Sequence, residues 1–168
     1  MGLRTHSKMA NEVVANVKNL KTLIGYLAGG LPKVRVGILG STTARNSGEL
    51  NNAEIGYTNE VGKQTGFPKI PRRSFIVMPL SMFFGRKLKE KRTLTSDQFE
   101  KAIKSAKAEQ FMQKVGFVAE EVIQEAFSTN GYGQWKPNAP MTIEKKKSNS
   151  PLIDTGQLRR SITSKVVK

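Results

Sequence analysis

The chain has 168 residues and a mass of 18.6 kDa, which suits one domain with a buried core. It contains no cysteine and a single histidine, His6, so composition excludes disulfide frameworks, thiolate catalysis, cysteine-ligated metal sites and histidine-based triads. No apolar run approaches the roughly 20 residues of a membrane-spanning helix, and the N-terminus lacks the apolar stretch of a secretion signal. We therefore expect no contact with a membrane, and synthesis in the cytosol.

Positive charge is the strongest compositional feature. The chain has 28 Lys and Arg against 13 Asp and Glu, a formal net charge of +15 at pH 7. The surplus is +5 over residues 1–40, +6 over 41–92 and +6 over 131–168, whereas residues 93–130 carry −2. Charge of this size makes an acidic partner the first kind to test. Its spread favours several basic contact surfaces over one nucleic-acid groove.

The first two predicted elements are a helix and a strand. Apolar residues recur every three or four positions over 9–27, which predicts an amphipathic helix that ends at Gly29-Gly30. Residues 33–39 alternate between polar and apolar types, which predicts a half-buried strand. Its inward residues would be Val34, Val36 and Ile38. Residues 1–7, before the helix, are expected to be flexible.

Turn-forming residues dominate the next part of the chain. Residues 41–52 contain almost no core-forming side chains, which predicts a flexible loop. A short helix closed by Gly62 is predicted over 53–61, and a second loop over 63–73. The apolar run 74–78 is short enough for a second strand.

One long helix is predicted in the second half of the chain. Thr95 and Gln98 have the spacing of a capping box, and an apolar stripe continues to residue 127. Unbroken, the helix would span roughly 45 Å, and Gly116 is a candidate position for a kink. Acidic residues at its C-terminal end oppose the helix dipole, so we expect basic partners for them from elsewhere in the fold or from a neighbouring subunit. These residues are Glu120, Glu121 and Glu125.

The C-terminal part is predicted to contain a long loop over 129–151, a short helical turn over 152–160 and a last strand over 161–167. Together the elements predict one α+β domain over residues 1–168. Its small antiparallel or mixed sheet would pack against the N-terminal helix and the one long helix. Its long loops would bind partners.

Catalytic motifs do not fit this chain. Glycines flank Lys63 as in a phosphate-binding loop, but Gln64 stands where Ser or Thr is required, and the segment follows a helix instead of opening one. The carboxylates lack the convergence that acid–base chemistry or a two-metal nuclease requires. We therefore assign no catalytic residue, no cofactor and no metal site, and we expect a protein that is not an enzyme.

Several residues have the chemistry of an interface. Arg72 and Arg73 lie between a proline and a predicted strand, which would present their guanidinium groups stiffly to carboxylates on a partner. Trp135, next to Lys136 in a loop rich in Gly and Pro, either anchors an interface or packs onto its own domain.

The segment after Pro151 adds further candidates. Asp154, which precedes Thr155 and Gly156, is expected to cap a turn through its side chain and to leave Arg159 and Arg160 on a short exposed helix. Together with the basic runs 86–92 and 145–147, these cations could contact the phosphates of a nucleic acid directly. The sequence contains no recognisable DNA-reading module.

Four segments carry a resemblance to a known family. They are IGYTNEVG at 55–62, IPRRSF at 70–75, GQWKPNAPMT at 133–142 and PLIDTGQLRRSI at 151–162. They resemble recurring elements of the tail-completion and neck proteins of tailed bacteriophages, the virion-morphogenesis or minor tail proteins. The resemblance covers roughly residues 34–74 and 133–167, and the last segment is the most distinctive.

The resemblance implies a non-enzymatic virion protein that forms a homo-oligomeric ring, which we expect to be hexameric, at the head–tail junction or the tail end. Its implied partners are the major tail-tube protein and head–tail connector proteins, with nonspecific contact to genomic DNA and assembly in the host cytoplasm. The resemblance does not distinguish between the roles of tail terminator, connector and stopper. A basic DNA-binding or packaging accessory protein is the alternative. The candidate interface residues are Arg72, Arg73, Trp135, Lys136, Asp154, Arg159 and Arg160.

Overall fold

The structure, a computed structural model, describes residues 3–39, 50–66, 68–92, 94–146 and 148–168. Most of the loop predicted over 41–52 lies outside these ranges, and so do the first two residues of the predicted flexible N-terminus. Lys147, the last residue of the basic run, also lies outside them.

Helix α1 (Leu3–Gly29) and strand β1 (Lys33–Ile38) form where the sequence predicts a helix and a strand. The helix begins earlier than the predicted stripe, and it ends at Gly29, before Gly30, whose φ of +82° suits glycine. Near the end of α1, Tyr26 is buried. The helix contacts the body of the domain through a later helix, Ser96–Lys104.

Helix α2 (Asn52–Val61) follows a complete capping box. The side chain of Asn51 accepts hydrogen bonds from two N–H groups of the first turn, and Glu54 accepts one from the Asn51 N–H at 2.8 Å. The helix ends at Gly62, which has φ +78° and lies against the backbone of Arg72. A Cβ at this position would come within 2.9 Å of the Arg72 nitrogen, so the turn requires glycine.

The predicted strand over 74–78 is wrong. Helix α3 (Val77–Pro79) begins there and continues through a π-helical turn (Leu80–Phe84) into helix α4 (Gly85–Glu90). The N–H groups of 75–77 bind the Glu60 carboxylate and so are not available to a sheet. Pro79 lies in the first helical turn, where its missing N–H removes no helical hydrogen bond.

The predicted span of the long helix is also wrong, because the segment is divided into α5 (Ser96–Lys104) and the long helix α6 (Ala108–Ser128). Thr95 caps α5 as predicted, with its side chain accepting from the Gln98 N–H at 3.3 Å. Between the helices Ala106 has φ 57°, a conformation in which no helix continues. α6 runs through Gly116 without interruption, so this glycine is not a helix break.

Strand β2 (Ile162–Val167) pairs antiparallel with β1 and forms a two-stranded ribbon that packs against α6. Gly116 lies at this contact, where a Cβ would come within 2.6 Å of the Ser164 Oγ. The Glu120 carboxylate accepts a hydrogen bond from the Ser164 N–H, which ties the helix to the strand. The α+β fold class, with a small antiparallel sheet on a long helix, is confirmed.

The core lies between α6 and the segments around Phe75, Trp135 and Leu158. The Phe127 ring contacts two of them, with its centroid 5.3 Å from that of Phe75 and 5.7 Å from that of Trp135. Helix α7 (Pro140–Lys146) forms inside the predicted loop 129–151, and helix α8 (Gln157–Arg160) forms inside the predicted turn.

Lys87 of α4 and Lys91, directly after it, contact the acidic end of α6. The sequence predicted basic partners from elsewhere in the fold for these carboxylates. The Lys87 Nζ lies 3.2 Å from the Glu125 carboxylate and 3.3 Å from that of Glu121, and Lys91 lies 3.0 Å from Glu121. Hydrogen bonds to Glu125 and Glu121 raise the pKa of Lys87. The hydrogen bond from Lys91 lowers the pKa of Glu121.

Gly116→Val is expected to destabilise the protein by about 1–3 kcal/mol, because the new side chain overpacks the contact between α6 and β2. Gly85→Ala is the matched control, since a Cβ at Gly85 has nothing within 4 Å and the residue is helical. The control should gain about 0.5–1 kcal/mol from helix propensity. Urea denaturation of both variants measures the free energies of unfolding, and equal values for the two would contradict this packing.

Candidate functional site

The carboxylate of Glu60, at the end of α2, holds the start of α3. Its oxygens accept hydrogen bonds from the N–H groups of Phe75 at 2.8 Å, Ile76 at 3.0 Å and Val77 at 3.1 Å. The Ser74 hydroxyl donates a further hydrogen bond to the same carboxylate. A negative charge at a helix N-terminus is favourable, because the first N–H groups have no partner within the helix. Glu60 therefore joins the ends of two helices.

Arg73 connects the loop after α2 to the loop that contains Trp135. Its Nε donates to the Lys136 carbonyl at 2.8 Å and its Nη2 to the Pro137 carbonyl at 2.9 Å. The residue is buried, and burial lowers its pKa. The expectation that Arg73 presents its guanidinium to a partner is corrected, because backbone carbonyls of its own domain bind it.

Trp135 packs onto its own domain, one of the two alternatives that the sequence left open. It is buried, and its indole N–H donates to the Ser74 carbonyl at 3.0 Å. Gly131 lies directly against the indole ring, where a Cβ would come within 2.2 Å of it. The turn before the indole is held by Tyr132, whose hydroxyl donates to the Val122 carbonyl at 3.0 Å. Burial raises the pKa of Tyr132 to about 12.

The last three candidate residues have different environments. The Arg159 Nε donates to the Gln124 Oε1 at 2.7 Å, which fixes α8 to α6. Arg160 and Asp154 are exposed. The predicted cap by Asp154 is wrong: α8 begins at Gln157, and the residue before it is Gly156, with φ +75° and no side-chain cap. The first N–H of that helix instead faces the Thr155 hydroxyl at 3.4 Å.

A groove of about 920 Å³ lies between the loop 64–73 and the segment 134–142. Three exposed cations line it, namely Lys69, Arg72 and Lys136. No carboxylate is among the described residues that line this groove. The groove is therefore positive, and its walls contain Pro68, Pro71 and Pro137, which restrict the backbone.

A second cavity of about 290 Å³ adjoins this groove and shares Arg73, Asn138 and Thr142 with it. Lys146 and Asp154 also line the cavity. The Lys146 Nζ donates to the Ser150 carbonyl at 3.2 Å. Burial lowers the pKa of Lys146, and the charge of Asp154 opposes that shift.

Sequence reasoning missed Glu60 and Lys69 as site residues. A local signal for Glu60 exists, since a carboxylate at the C-terminal end of a helix opposes the helix dipole and needs a partner elsewhere. For Lys69 no such signal exists, because its place on the groove depends on the loop path.

Comparison with known proteins places the chain in no group: no family model matches it, and no curated protein or solved structure does. Within the described ranges, no helix is both long and apolar enough to cross a membrane. The same part of the chain contains no cluster of His, Asp and Glu that could hold a metal ion. The groove, which three exposed cations line, is the main candidate site.

Glu60→Gln is expected to destabilise the protein by about 1–3 kcal/mol, because an amide nitrogen cannot accept from the N–H groups that the carboxylate binds. The matched control is Glu144→Gln, at an exposed position on α7, with an expected change within about 0.5 kcal/mol. Urea denaturation gives both values. If Glu60→Gln unfolds at the same urea concentration as the control, the carboxylate does not hold α3.

Proposed function

We propose that this protein is a structural component of a tailed-phage virion, which forms a ring at the head–tail junction or the tail end and joins tail to head. One observation carries the proposal: the four segments that resemble this family meet in one place. Glu60 binds the start of α3, Arg73 binds the carbonyls of 136 and 137, and α8 packs against α2. Segments 70–75 and 133–142 thus line the groove, and segments 55–62 and 151–162 line the cavity that adjoins it.

The groove has properties that suit a segment of another protein. Lys69, Arg72 and Lys136 are exposed along it, so side chains with carboxylates fit its charge. Its two walls are already joined by Arg73 and Trp135, so binding requires little ordering of the backbone. These properties favour an assembly protein, whose neighbours dock on a preformed surface.

Helix α1 supplies a second surface that favours self-association. Its apolar side chains remain exposed in the single chain: Val17 by 49%, Leu20 by 57% and Ile24 by 55%. These residues follow one another at helical spacing and form one stripe, which we call the α1 stripe. Apolar stripes of this kind are usually covered by another protein surface. In a closed ring each α1 stripe would contact a different surface of the next subunit, as rotational symmetry requires.

The first experiment is the mass of the purified protein in solution. Light scattering at moderate salt is measured for the protein alone, with the major tail-tube protein and with the portal–adaptor complex of the same genome. A ring, alone or with either partner, gives a multiple of 18.6 kDa and identifies the side on which the protein docks. A monomer that binds neither partner but binds duplex DNA above physiological salt would instead favour the alternative, a DNA-binding accessory protein.

Leu20→Glu together with Ile24→Glu is expected to reduce the assembly to monomers, because two charges would be buried in the contact between subunits. Lys18→Gln with Lys21→Gln, at exposed positions of the same helix, is the matched control and should retain the wild-type mass. Circular dichroism checks that both variants remain helical. An unchanged mass for the glutamate variant would show that the α1 stripe does not join the subunits.

A further inference from the structure

The outward face of the β1–β2 ribbon carries three cations at fixed positions. Side chains alternate along a strand, and Val34 lies on the side that packs against α6. Lys33 and Arg35 therefore lie on the opposite side, and Lys165 lies directly opposite Arg35 on the neighbouring strand. All three are exposed. We call this set the ribbon face.

The charges of the ribbon face are not compensated within the described part of the chain. Residues directly opposite on antiparallel strands have Cβ atoms about 5 Å apart, and like charges at that distance destabilise the pair. None of the three cations forms an ion pair with a described carboxylate. Lys168, just beyond the same strand, does form one, with Glu109 at 3.3 Å. A mobile anion or an anionic partner must therefore balance the ribbon face.

The composition of this face favours a polyanion over a protein surface. The other strand residues on this side are Gly37, which is buried next to Ile76, and the half-buried Thr163 and Val167. The open part of the face, around the three cations, therefore has no aromatic anchor. Cores of protein interfaces are enriched in aromatic residues and depleted in charge, which is the opposite pattern. The rigid strands hold their cations about 7 Å apart along the chain.

We infer that the ribbon face contacts the phosphate backbone of duplex DNA. The contact is independent of sequence, because its energy comes from the release of counterions from phosphates. Its strength falls with salt: three phosphate contacts alone predict a loss of about 40-fold in affinity between 50 and 200 mM salt. The inference goes beyond the proposed ring, since it assigns a DNA-facing surface that a free subunit would also have.

The test measures binding of the full chain to a labelled duplex of roughly 20 base pairs by fluorescence anisotropy, over the same salt range. The variant Lys33→Gln, Arg35→Gln, Lys165→Gln is expected to reduce the slope of log affinity against log salt by about 2.7. Lys18→Gln, Lys21→Gln, Lys101→Gln removes the same charge from exposed positions off the ribbon, and it should retain the wild-type slope. Two duplexes of unrelated sequence should give the same affinity and the same salt slope.

Three outcomes would overturn the inference. Equal slope changes in the two variants would show that net charge alone drives binding. An unchanged slope with new self-association would show that the cations protect the strand edges from pairing. Competition by polyglutamate at equal charge that matches competition by DNA would indicate an acidic protein partner.

A single substitution tests the inference if the triple variant folds poorly. Lys165→Gln alone removes one contact, and it should reduce the salt slope by about 0.9. Light scattering of the same samples reports the ring separately, so loss of DNA binding and loss of assembly are distinguishable. A slope equal to that of the wild type in this single variant would contradict the inference.

Discussion

The carboxylate of Glu60 is the interaction on which the rest of the site depends. It ends one helix and begins the next, because its oxygens accept hydrogen bonds from three consecutive N–H groups and one hydroxyl. These bonds fix Ser74, whose carbonyl accepts the indole N–H of Trp135. The residue before Ser74 is Arg73, which holds the carbonyls of 136 and 137. One partly buried network of hydrogen bonds thus joins the two walls of the groove.

This network separates residues that hold the site from residues that are free to contact a partner. Arg73, Trp135 and Arg159 belong to the first group, because their donors bind groups of their own domain. Lys136 belongs to the second, since it is exposed on the groove. Arg72 belongs to both, because its Nε donates to the Glu60 carbonyl at 3.2 Å while the residue is exposed on the groove. Segments 70–75 and 133–142 contain residues of both groups.

Local signals predicted the elements whose boundaries depend on local chemistry. The glycines after α1, the alternation of β1 and the cap at Thr95 all act within a few residues, and all were predicted correctly. The apolar run at 74–78 was assigned to a strand because its cap, Glu60, is more than ten positions away in the chain. No Gly or Pro lies between α5 and α6, so the sequence does not predict the break at Ala106. The contacts of Arg73 and Trp135 span more than 60 positions, so no local pattern reveals them.

Four acidic groups of the folded chain stabilise the fold by binding backbone N–H groups or lysines. Glu60 and Glu120 bind backbone N–H groups, and Glu121 and Glu125 bind lysines of α4. In the proposed ring, copies with a net charge of +15 would repel one another, so self-association through the apolar α1 stripe would strengthen as salt screens the repulsion. Contact with phosphate weakens under the same change. Salt therefore acts in opposite directions on the two interactions, which distinguishes assembly from DNA binding in one series of solutions.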